Sequence, residues 1–249
     1  MSNNDVREPW PRTWQEEIKS EFRKYKKTFL KKPTIQRTMH PMGAYTQYWD
    51  YIKERYDLTR AAVDSNVGSP TVRSMQGDLS LVSMQCVLYR MLMEEYGLID
   101  FDSIVELGGG YGNNARFQRR LGFEGPIRIL DLPVMSDIQK YFIKENNLRD
   151  VSCVSYDEFN VRPETDNALF FATFSLNEIP MDDRIHLTRT INMFKYIFIT
   201  YKPNSFGMDN IEYFRIFIES LNSLGFDMLD KPHPLTNSKT RIIIGKRND

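Results

Sequence analysis

Apolar side chains recur at helical spacing through the first part of the chain. One stripe, with intervals of three and four residues, consists of Trp14, Ile18, Phe22, Tyr25 and Phe29. A second stripe consists of Tyr45, Tyr48, Trp49, Ile52 and Tyr56. This period predicts amphipathic helices: the first over 13–32, opened by a capping box of Thr13 and Glu16, and a later one over 78–96. We therefore predict a helical N-terminal cap region over 1–99.

After residue 100 the pattern changes to short apolar runs that alternate with helical segments. Strands are predicted over 103–107, 127–133, 151–155, 168–174, 196–201, 226–232 and 240–247. Helices are predicted over 113–121, 134–146, 182–194 and 210–224. Such alternation is typical of an α/β fold: a doubly wound, mostly parallel sheet with helices on both faces. The sequence predicts seven strands over 100–249, of which the last two form an antiparallel hairpin.

Composition and charge narrow the classes of protein. The 33 Lys and Arg residues equal the 33 Asp and Glu residues, and zero net charge argues against a nucleic-acid partner. Cys86 and Cys153 stand far apart, which fits neither a disulfide framework nor a metal site. No run approaches the roughly 18 apolar residues of a membrane span, and the start of the chain lacks an apolar signal segment. We expect a cytoplasmic protein.

The stretch VELGGGYGNN, over 105–114, carries the strongest chemical signal. A predicted strand ends in it, and four glycines follow within five positions. In a parallel sheet, ligands bind beyond the carboxyl ends of the strands, and glycine lets a ligand contact bare backbone. The helix that begins near Asn113 adds free N–H groups. The pattern predicts a ligand site here, although a tight turn without a ligand stays open as an alternative.

Two acids help to choose the ligand. Gly110, Gly112 and Ala115 fit the loose dinucleotide pattern G-x-G-x-x-G/A, and Asp131, at the end of the second strand, suits ribose hydroxyls. Glu106, however, directly precedes the glycine loop, where its charge would oppose an anionic pyrophosphate. A carboxylate there favours a ligand with positive charge. S-adenosylmethionine has an ammonium, a sulfonium and an adenosine, and no phosphate.

These motifs resemble those of the class I S-adenosylmethionine-dependent methyltransferases. Their first motif, E-x-G-x-G-x-G, matches 106–112, and the acid after the second strand matches Asp131. The resemblance covers 100–249 and includes the final hairpin. A narrower likeness, to the sugar O-methyltransferase family, rests on VGSPTVRSMQG (67–77), ILDLP (129–133) and FATFSLNEIP (171–180). That family is associated with the modification of glycans and polysaccharides.

The resemblance implies a set of cofactor-binding residues. Glu106 would act near the amino group, and Asp131 would hold the ribose with Leu132 against the adenine. The remaining implied contacts, together with the helix start at Asn113, are Gly108, Gly110, Gly112, Asn113, Tyr156, Asp157, Thr173, Phe174 and Ser175. The last three would lie beside the methyl group that is transferred.

Methyl transfer to a hydroxyl also needs a general base, which assists by about 10²–10⁴-fold. Glu178, in the segment after the fourth strand, is our first candidate, and Asn177 would orient the hydroxyl. The alternative for Glu178 is an acid placed at a helix start by the helix dipole. His233, on the connection between the last two strands, is the second candidate base, with an exposed turn histidine as its alternative.

Arg73 and Ser69, in the 67–77 loop, are candidates for binding the acceptor. Acids at Glu178, Asp182 and Asp183 could ligate a hard cation, but the helix dipole explains them more simply, so we expect no metal. The aromatic N-terminal helices either cover the site or form a cap or homodimer contact, and we favour the latter.

The sequence therefore predicts a methyltransferase that moves a methyl group from S-adenosylmethionine to a sugar hydroxyl. Three alternatives stay open. They are an O-methyltransferase for small molecules or natural products, a nicotinamide-dependent oxidoreductase, and a non-catalytic binding module that retains the fold.

Overall fold

A computed structural model describes residues 10–43, 45–73, 77–157, 160–235 and 239–248. The helices are Arg12–Lys24 (α1), Pro33–Met39 (α2), Tyr45–Ile52 (α3), Tyr56–Ala62 (α4), Leu81–Glu95 (α5), Asn113–Arg120 (α6), Pro133–Glu145 (α7), Met181–Ile191 (α8) and Asn210–Ser223 (α9). The strands are Ser103–Leu107 (β1), Ile127–Asp131 (β2), Val151–Ser155 (β3), Ala168–Thr173 (β4), Tyr196–Tyr201 (β5), Asn204–Ser205 (β6), Met208–Asp209 (β7), Phe226–Pro232 (β8) and Arg241–Arg247 (β9). Our expectation about a signal segment falls on 1–9, outside the described residues, as do 74–76 of the 67–77 loop.

The large strands form one seven-stranded sheet in the order β3-β2-β1-β4-β5-β9-β8. The first five are parallel, and β9 and β8 complete the sheet as an antiparallel hairpin. The predicted fold class is confirmed. Because Leu107 of β1 pairs with both Leu130 of β2 and Ala172 of β4, these three strands end at the same edge of the sheet. The segments that follow them are therefore neighbours.

Helices bury both faces of this sheet. On one face Ile104 and Phe171 pack in a core with α5, while on the other Val105 and Phe170 pack with α8 and α9. Successive side chains of a strand point to opposite faces, so a strand covered on both sides needs apolar residues at nearly every position. All five residues of β1 are buried, and this requirement makes the acid Glu106 an exception among them.

The N-terminal helices share their cores with the sheet region. Tyr48 of α3 and Leu88 of α5 belong to the same buried cluster as Phe198 of β5 and Ile244 of β9. Around α7, a further cluster combines side chains from both regions: Ile18, Phe22, Phe29, Ile35, Met39, Ile138 and Phe142. Contacts thus run continuously across residue 99, and the division of the chain there stays a prediction. None of the described helices has the length and apolar character needed to cross a bilayer.

The first predicted helix differs from the observed one. It ends at Lys24, and a 3-10 helix, Lys26–Lys31, follows after a break at Tyr25. The predicted capping box is wrong: Pro11 is the N-cap, so Thr13 lies inside the first turn, and Glu16 forms an ion pair with Arg12 at 3.2 Å. Pro11 has extended backbone angles and starts the helix two residues too early for Thr13 to cap it.

Other boundaries shift for local reasons. The stripe predicted to reach Tyr56 ends at Ile52, and Tyr56 opens a separate helix. Helix α5 begins at Leu81, later than predicted, because Ser80 is its N-cap and its hydroxyl accepts a bond from the Ser83 N–H at 3.2 Å. The short hairpin of β6 and β7 was not predicted. Phe206 and Gly207 form its turn, both with positive φ.

Replacement of Leu88 by alanine tests the shared core. Leu88 is fully buried on α5, so the cavity left behind should lower the free energy of unfolding by about 2–5 kcal/mol. Because the cluster includes β5 and β9, urea titrations followed by circular dichroism and by tryptophan fluorescence should shift together. Leu229→Ala, at a position 41 % exposed, is the control and should change little. Two separate transitions would contradict a continuous core.

Candidate active site

A cavity of about 420 Å³ opens where β1, β2 and β4 end. Its floor is formed by the glycine loop and by the segments after β2 and β4, and its sides by α5 and the N-terminal helices. Pockets for small molecules generally span about 300–1,000 Å³, so the cavity can enclose one ligand of moderate size. Most of its lining is apolar, with polar groups at a few positions.

Different structural constraints apply at the individual glycines of the loop. Gly108 has φ +75°, and a Cβ there would lie 2.2 Å from the Cβ of Ser175. Ser175 approaches so closely because its hydroxyl donates to the carbonyl of Leu107. Gly110 also has positive φ, but a Cβ there would meet only Met39, at an ordinary 3.6 Å. Gly108 is thus required by packing between two loops of the protein, a role that we did not predict.

Glu106 is a buried acid without a counter-charge. It is 3 % exposed, and its Oε2 has no hydrogen-bond partner within the described structure. Desolvation raises its pKa to about 7; the side chain of Asn114 opposes this shift, and the charge of Asp131 adds to it. An unpaired carboxyl group in such surroundings is costly, and a cationic ligand would compensate for it.

Asp131 lies at the end of β2 and is held in place by two donors. Its Oδ1 accepts from the Leu132 N–H and its Oδ2 from Gln139 Nε2, each at 2.8 Å. Gln139 also donates to the carbonyl of Gly110 at 3.0 Å, so it ties the acid to the glycine loop. Desolvation raises the pKa of Asp131 to about 7, against these hydrogen bonds. Gln139 was missed because nothing in the local pattern of α7 distinguishes it.

Glu178 also lines the cavity. It ends a 3-10 turn, Leu176–Glu178, and lies ahead of α8, whose N-cap is Pro180. The dipole explanation therefore applies to Asp182 and Asp183, which occupy the first turn of α8. Desolvation raises the pKa of Glu178 to about 7, while the charge of Lys202 opposes the shift.

Arg184 fixes the segment that carries Glu178. Its fully buried guanidinium donates to the carbonyls of Asn177 and Ile179 and to Asn210 Oδ1, each at 2.6 Å. The first two carbonyls flank Glu178 on either side, so its backbone is anchored. Asn210 in turn donates to the carbonyl of Lys202 at 2.8 Å, which links this segment to the end of β5. A single arginine on a predicted helix gave no sign of this role.

Most of the predicted cofactor residues line the cavity. These are Glu106, Gly108, Gly110, Asn113, Asp131, Leu132, Tyr156, Thr173, Phe174 and Ser175. Gly112 does not; it is the N-cap of α6, with φ +94°. Asp157 is exposed and also lies outside the lining. Asn177 is fully buried behind the cavity wall, and neither atom of its side-chain amide has a partner in the described residues.

His233 lies outside the cavity and is buried, so it is not an exposed turn residue. Its ring packs edge-on against Tyr89, with 6.2 Å between ring centroids. The Leu235 N–H donates to Nδ1 at 3.1 Å, and desolvation lowers the pKa of the imidazole to about 4. A neutral ring with Nδ1 occupied carries its proton on Nε2, and that nitrogen cannot accept another. This geometry does not favour His233 as a base.

Arg73 and Ser69, the predicted acceptor residues, also lie outside the cavity lining. Arg73 is exposed, and its backbone forms an isolated antiparallel bridge with Leu79. Its guanidinium carbon lies 4.9 Å from the ring centroid of Tyr45. Ser69 Oγ donates to the carbonyl of Lys27 at 3.1 Å. A Cβ at Gly68, beside Ser69, would lie 2.4 Å from the ring of Phe29, so packing against the N-terminal region explains this glycine without a ligand.

Aromatic residues of the N-terminal region border the cavity instead. Trp10 and Trp14 both line it, with 4.5 Å between their ring centroids. Trp10 also lies 5.8 Å from Phe206, in the turn of the hairpin after β5. We call these three residues the aromatic rim. Within the described ranges, no group of three His, Cys, Asp or Glu side chains could hold a metal ion.

The sheet and its final hairpin form the Rossmann-like fold of methyltransferases. An O-methyltransferase family protein from Burkholderia thailandensis has 13 % sequence identity and a TM-score of 0.50, covering 82 % of this chain and 69 % of that one. A SAM-dependent methyltransferase from Aquifex aeolicus has 13 % identity and a TM-score of 0.50, covering 79 % and 97 %. The methyltransferase domain of bacterial CtHen1-CN has 10 % sequence identity and a TM-score of 0.51, covering 67 % of this chain and 100 % of that one. No protein-family model and no curated protein matches the sequence. At such identities the likeness establishes the fold.

Replacement of Gly108 by alanine tests the contact between the two loops. The variant combines a strained positive φ with the collision against Ser175, so the free energy of unfolding should fall by about 2–5 kcal/mol. Gly97→Ala is the matched control: its φ is +71° and its Cβ would meet nothing within 4 Å, so only the backbone cost of about 1–2 kcal/mol applies. Adding Ser175→Gly should restore part of the loss in the Gly108 variant, and no restoration would contradict this explanation.

Proposed function

We propose that the protein is an S-adenosylmethionine-dependent methyltransferase that acts on a sugar hydroxyl. The observation that carries the proposal is the unpaired, buried Glu106 beside the glycine loop. S-adenosylmethionine supplies an electrophilic methyl group on a sulfonium and brings an ammonium that would complement this carboxylate. The residues present fit that ligand, because its ammonium and sulfonium groups would face a cavity lined by acids.

The charge of the cavity argues against a nicotinamide dinucleotide. Of the lining residues that the structure describes, none is Lys, Arg or His, while Glu106 and Asp131 both lie close to the loop. A pyrophosphate would place its negative charge against these acids without a side chain to neutralise it. The helix N-terminus at Asn113 offers N–H groups alone. A cationic ligand faces no such penalty.

The ammonium, the ribose and the adenine of the cofactor would each meet a complementary group in the cavity. Glu106 would hold the ammonium, and Asp131, oriented by Gln139, would accept bonds from the ribose hydroxyls. Leu132 and Tyr156 would flank the adenine. The segment 173–175, at the end of β4, would lie beside the methyl group, which leaves the adjoining Glu178 on the acceptor side.

Glu178 is our candidate for the general base. It would take up the proton of the acceptor hydroxyl as the new C–O bond forms. With a pKa raised to about 7, its carboxylate is basic enough to accept that proton and is still largely ionised just above neutral pH. The choice of a sugar acceptor is supported by the resemblance of ILDLP and FATFSLNEIP to the sugar O-methyltransferases.

Binding of S-adenosylhomocysteine should depend on pH and release protons. In the free protein Glu106 and Asp131 have pKa values raised to about 7, so they are mostly protonated at pH 6 and ionised at pH 8. The ammonium of the ligand favours the ionised form of Glu106. Affinity should therefore rise about tenfold from pH 6 to 8, measured by calorimetry in buffers with different ionisation enthalpies.

Two comparisons complete that experiment. Glu106→Gln should weaken binding by about 1–3 kcal/mol and reduce the proton release, whereas Asp182→Asn, at an exposed position, should change neither. Titration of the same protein with NAD⁺ should give no heat. Binding of NAD⁺ and not of S-adenosylhomocysteine would refute the proposed cofactor.

Replacement of Glu178 by glutamine tests the base. Turnover should fall by about 10²–10⁴-fold, because the amide cannot accept the proton, while the affinity for S-adenosylhomocysteine should change little. The wild-type kcat should fall below about pH 7, and this fall should be absent in the variant, since the titrating group is gone. A wild-type kcat in Glu178→Gln would assign the base to another residue.

A further inference from the structure

Among the residues that the structure describes, the walls of the cavity carry acidic side chains and no basic ones. Its carboxyl groups are Glu106, Asp131, Glu178 and Asp183, and Lys, Arg and His are lacking among its described lining residues. The proposed cofactor uses the first two. Glu178 and Asp183 belong to the segment between β4 and the first turn of α8, on the side left for the acceptor.

Basic groups close to this segment do not face the cavity. Lys202 Nζ lies 5.7 Å from the ring centroid of Phe174 and is not part of the lining. Arg184 is fully buried, and its guanidinium is engaged by the carbonyls of Asn177 and Ile179 and by Asn210. Arg184 is therefore not available to neutralise a phosphate or carboxylate on the acceptor, and Lys202, whose charge acts on Glu178, lies outside the lining.

The aromatic rim is a second feature of the cavity. Trp10 and Trp14 line it together, at an interplanar angle of 39°, and Phe206 lies against Trp10. Aromatic rings offer large, rigid apolar faces to the C–H surface of a sugar, while carboxylates accept hydrogen bonds from its hydroxyls. A cavity that combines aromatic faces with carboxylates suits an uncharged saccharide, and its carboxylates repel an anionic one.

We propose that Glu178, Asp183 and the aromatic rim form an acceptor subsite for a saccharide without negative charge, which excludes nucleotide-activated and phosphorylated sugars. This inference rests on the proposed function and specifies its substrate class. The methylated unit is accordingly a free or glycosidically linked sugar and not an activated precursor.

Acceptors that share the same sugar and differ in charge test the inference. The neutral members are the methyl glycosides of glucose, galactose, mannose, rhamnose and N-acetylglucosamine. Their counterparts are the matching sugar 1-phosphates and nucleotide sugars. With radiolabelled S-adenosylmethionine, kcat/KM for the preferred neutral glycoside should exceed that of its anionic counterparts at least tenfold. An anionic acceptor that equals or exceeds its neutral counterpart overturns the inference.

Reversal of charge in the subsite supplies an independent comparison. Asp183→Lys should reduce the preference for the neutral acceptor at least fivefold, because the new ammonium compensates a phosphate. Asp182→Lys is the matched control, since Asp182 shares the first turn of α8 but is exposed and outside the lining. If Asp183→Lys fails to fold, Asp183→Asn should shift the preference in the same direction. An unchanged preference in both variants contradicts the subsite.

Binding measurements separate the acceptor from the cofactor. In the presence of saturating S-adenosylhomocysteine, Trp14→Ala should weaken calorimetric binding of the preferred methyl glycoside at least tenfold and leave the S-adenosylhomocysteine affinity within twofold. Tyr56→Ala, 74 % exposed on α4, is the aromatic control and should alter neither. Wild-type glycoside affinity in Trp14→Ala overturns the role of the rim.

Two further outcomes distinguish failure of the inference from failure of the proposed function. Normal binding of S-adenosylhomocysteine without transfer to any saccharide overturns the inference and leaves the cofactor assignment intact. Absence of S-adenosylhomocysteine binding by well-folded protein overturns the proposed function itself and, with it, the subsite.

Discussion

The burial of a carboxyl group at the end of β1 is the constraint on which the rest of the site depends. Glu106 interrupts a strand that is apolar on both faces, and its Oε2 lacks a partner in the described structure. Its surroundings raise its pKa to about 7, so the folded protein holds a group that is unfavourable unless protonated or paired. A cationic ligand relieves that cost, and an anionic one increases it. The proposed choices of cofactor and of acceptor both follow from the acids that line the cavity.

The loops around Glu106 are rigid because each is bonded to another element. Gln139 joins Asp131 to the glycine loop, Ser175 joins the end of β4 to the end of β1, and Arg184 anchors the backbone on both sides of Glu178. These hydrogen bonds hold in place acids that repel one another, so the site is preorganised. The N-terminal helices complete it, because Trp14 and Met39 line the cavity while their neighbours pack on α7.

Sequence reasoning succeeded where a property is local. Continuous apolar runs predicted the strands, and the glycine loop with Glu106 and Asp131 was recognised from spacing alone. Boundaries failed where a neighbouring residue set the start of a helix, as Pro11 did at α1 and Ser80 at α5. Arg73 and Ser69 were predicted for the acceptor because the 67–77 stretch resembles a family motif, but Arg73 lies against α3 and Ser69 donates to the N-terminal region. A resemblance in sequence does not fix the direction in which a loop points.

The amino-acid sequence by itself determined the sheet, its helices and the acids beside the glycine loop, since periodicity and the carboxyl-end rule of parallel strands require no distant contact. Tertiary structure alone decided which side chains close the cavity. Trp10 lines the cavity, Gln139 and Arg184 hold Asp131 and the segment around Glu178 from other elements, and our second candidate base, His233, is buried against Tyr89 outside it. The physical reason is that orientation depends on packing between elements far apart in the chain, which a local pattern does not record.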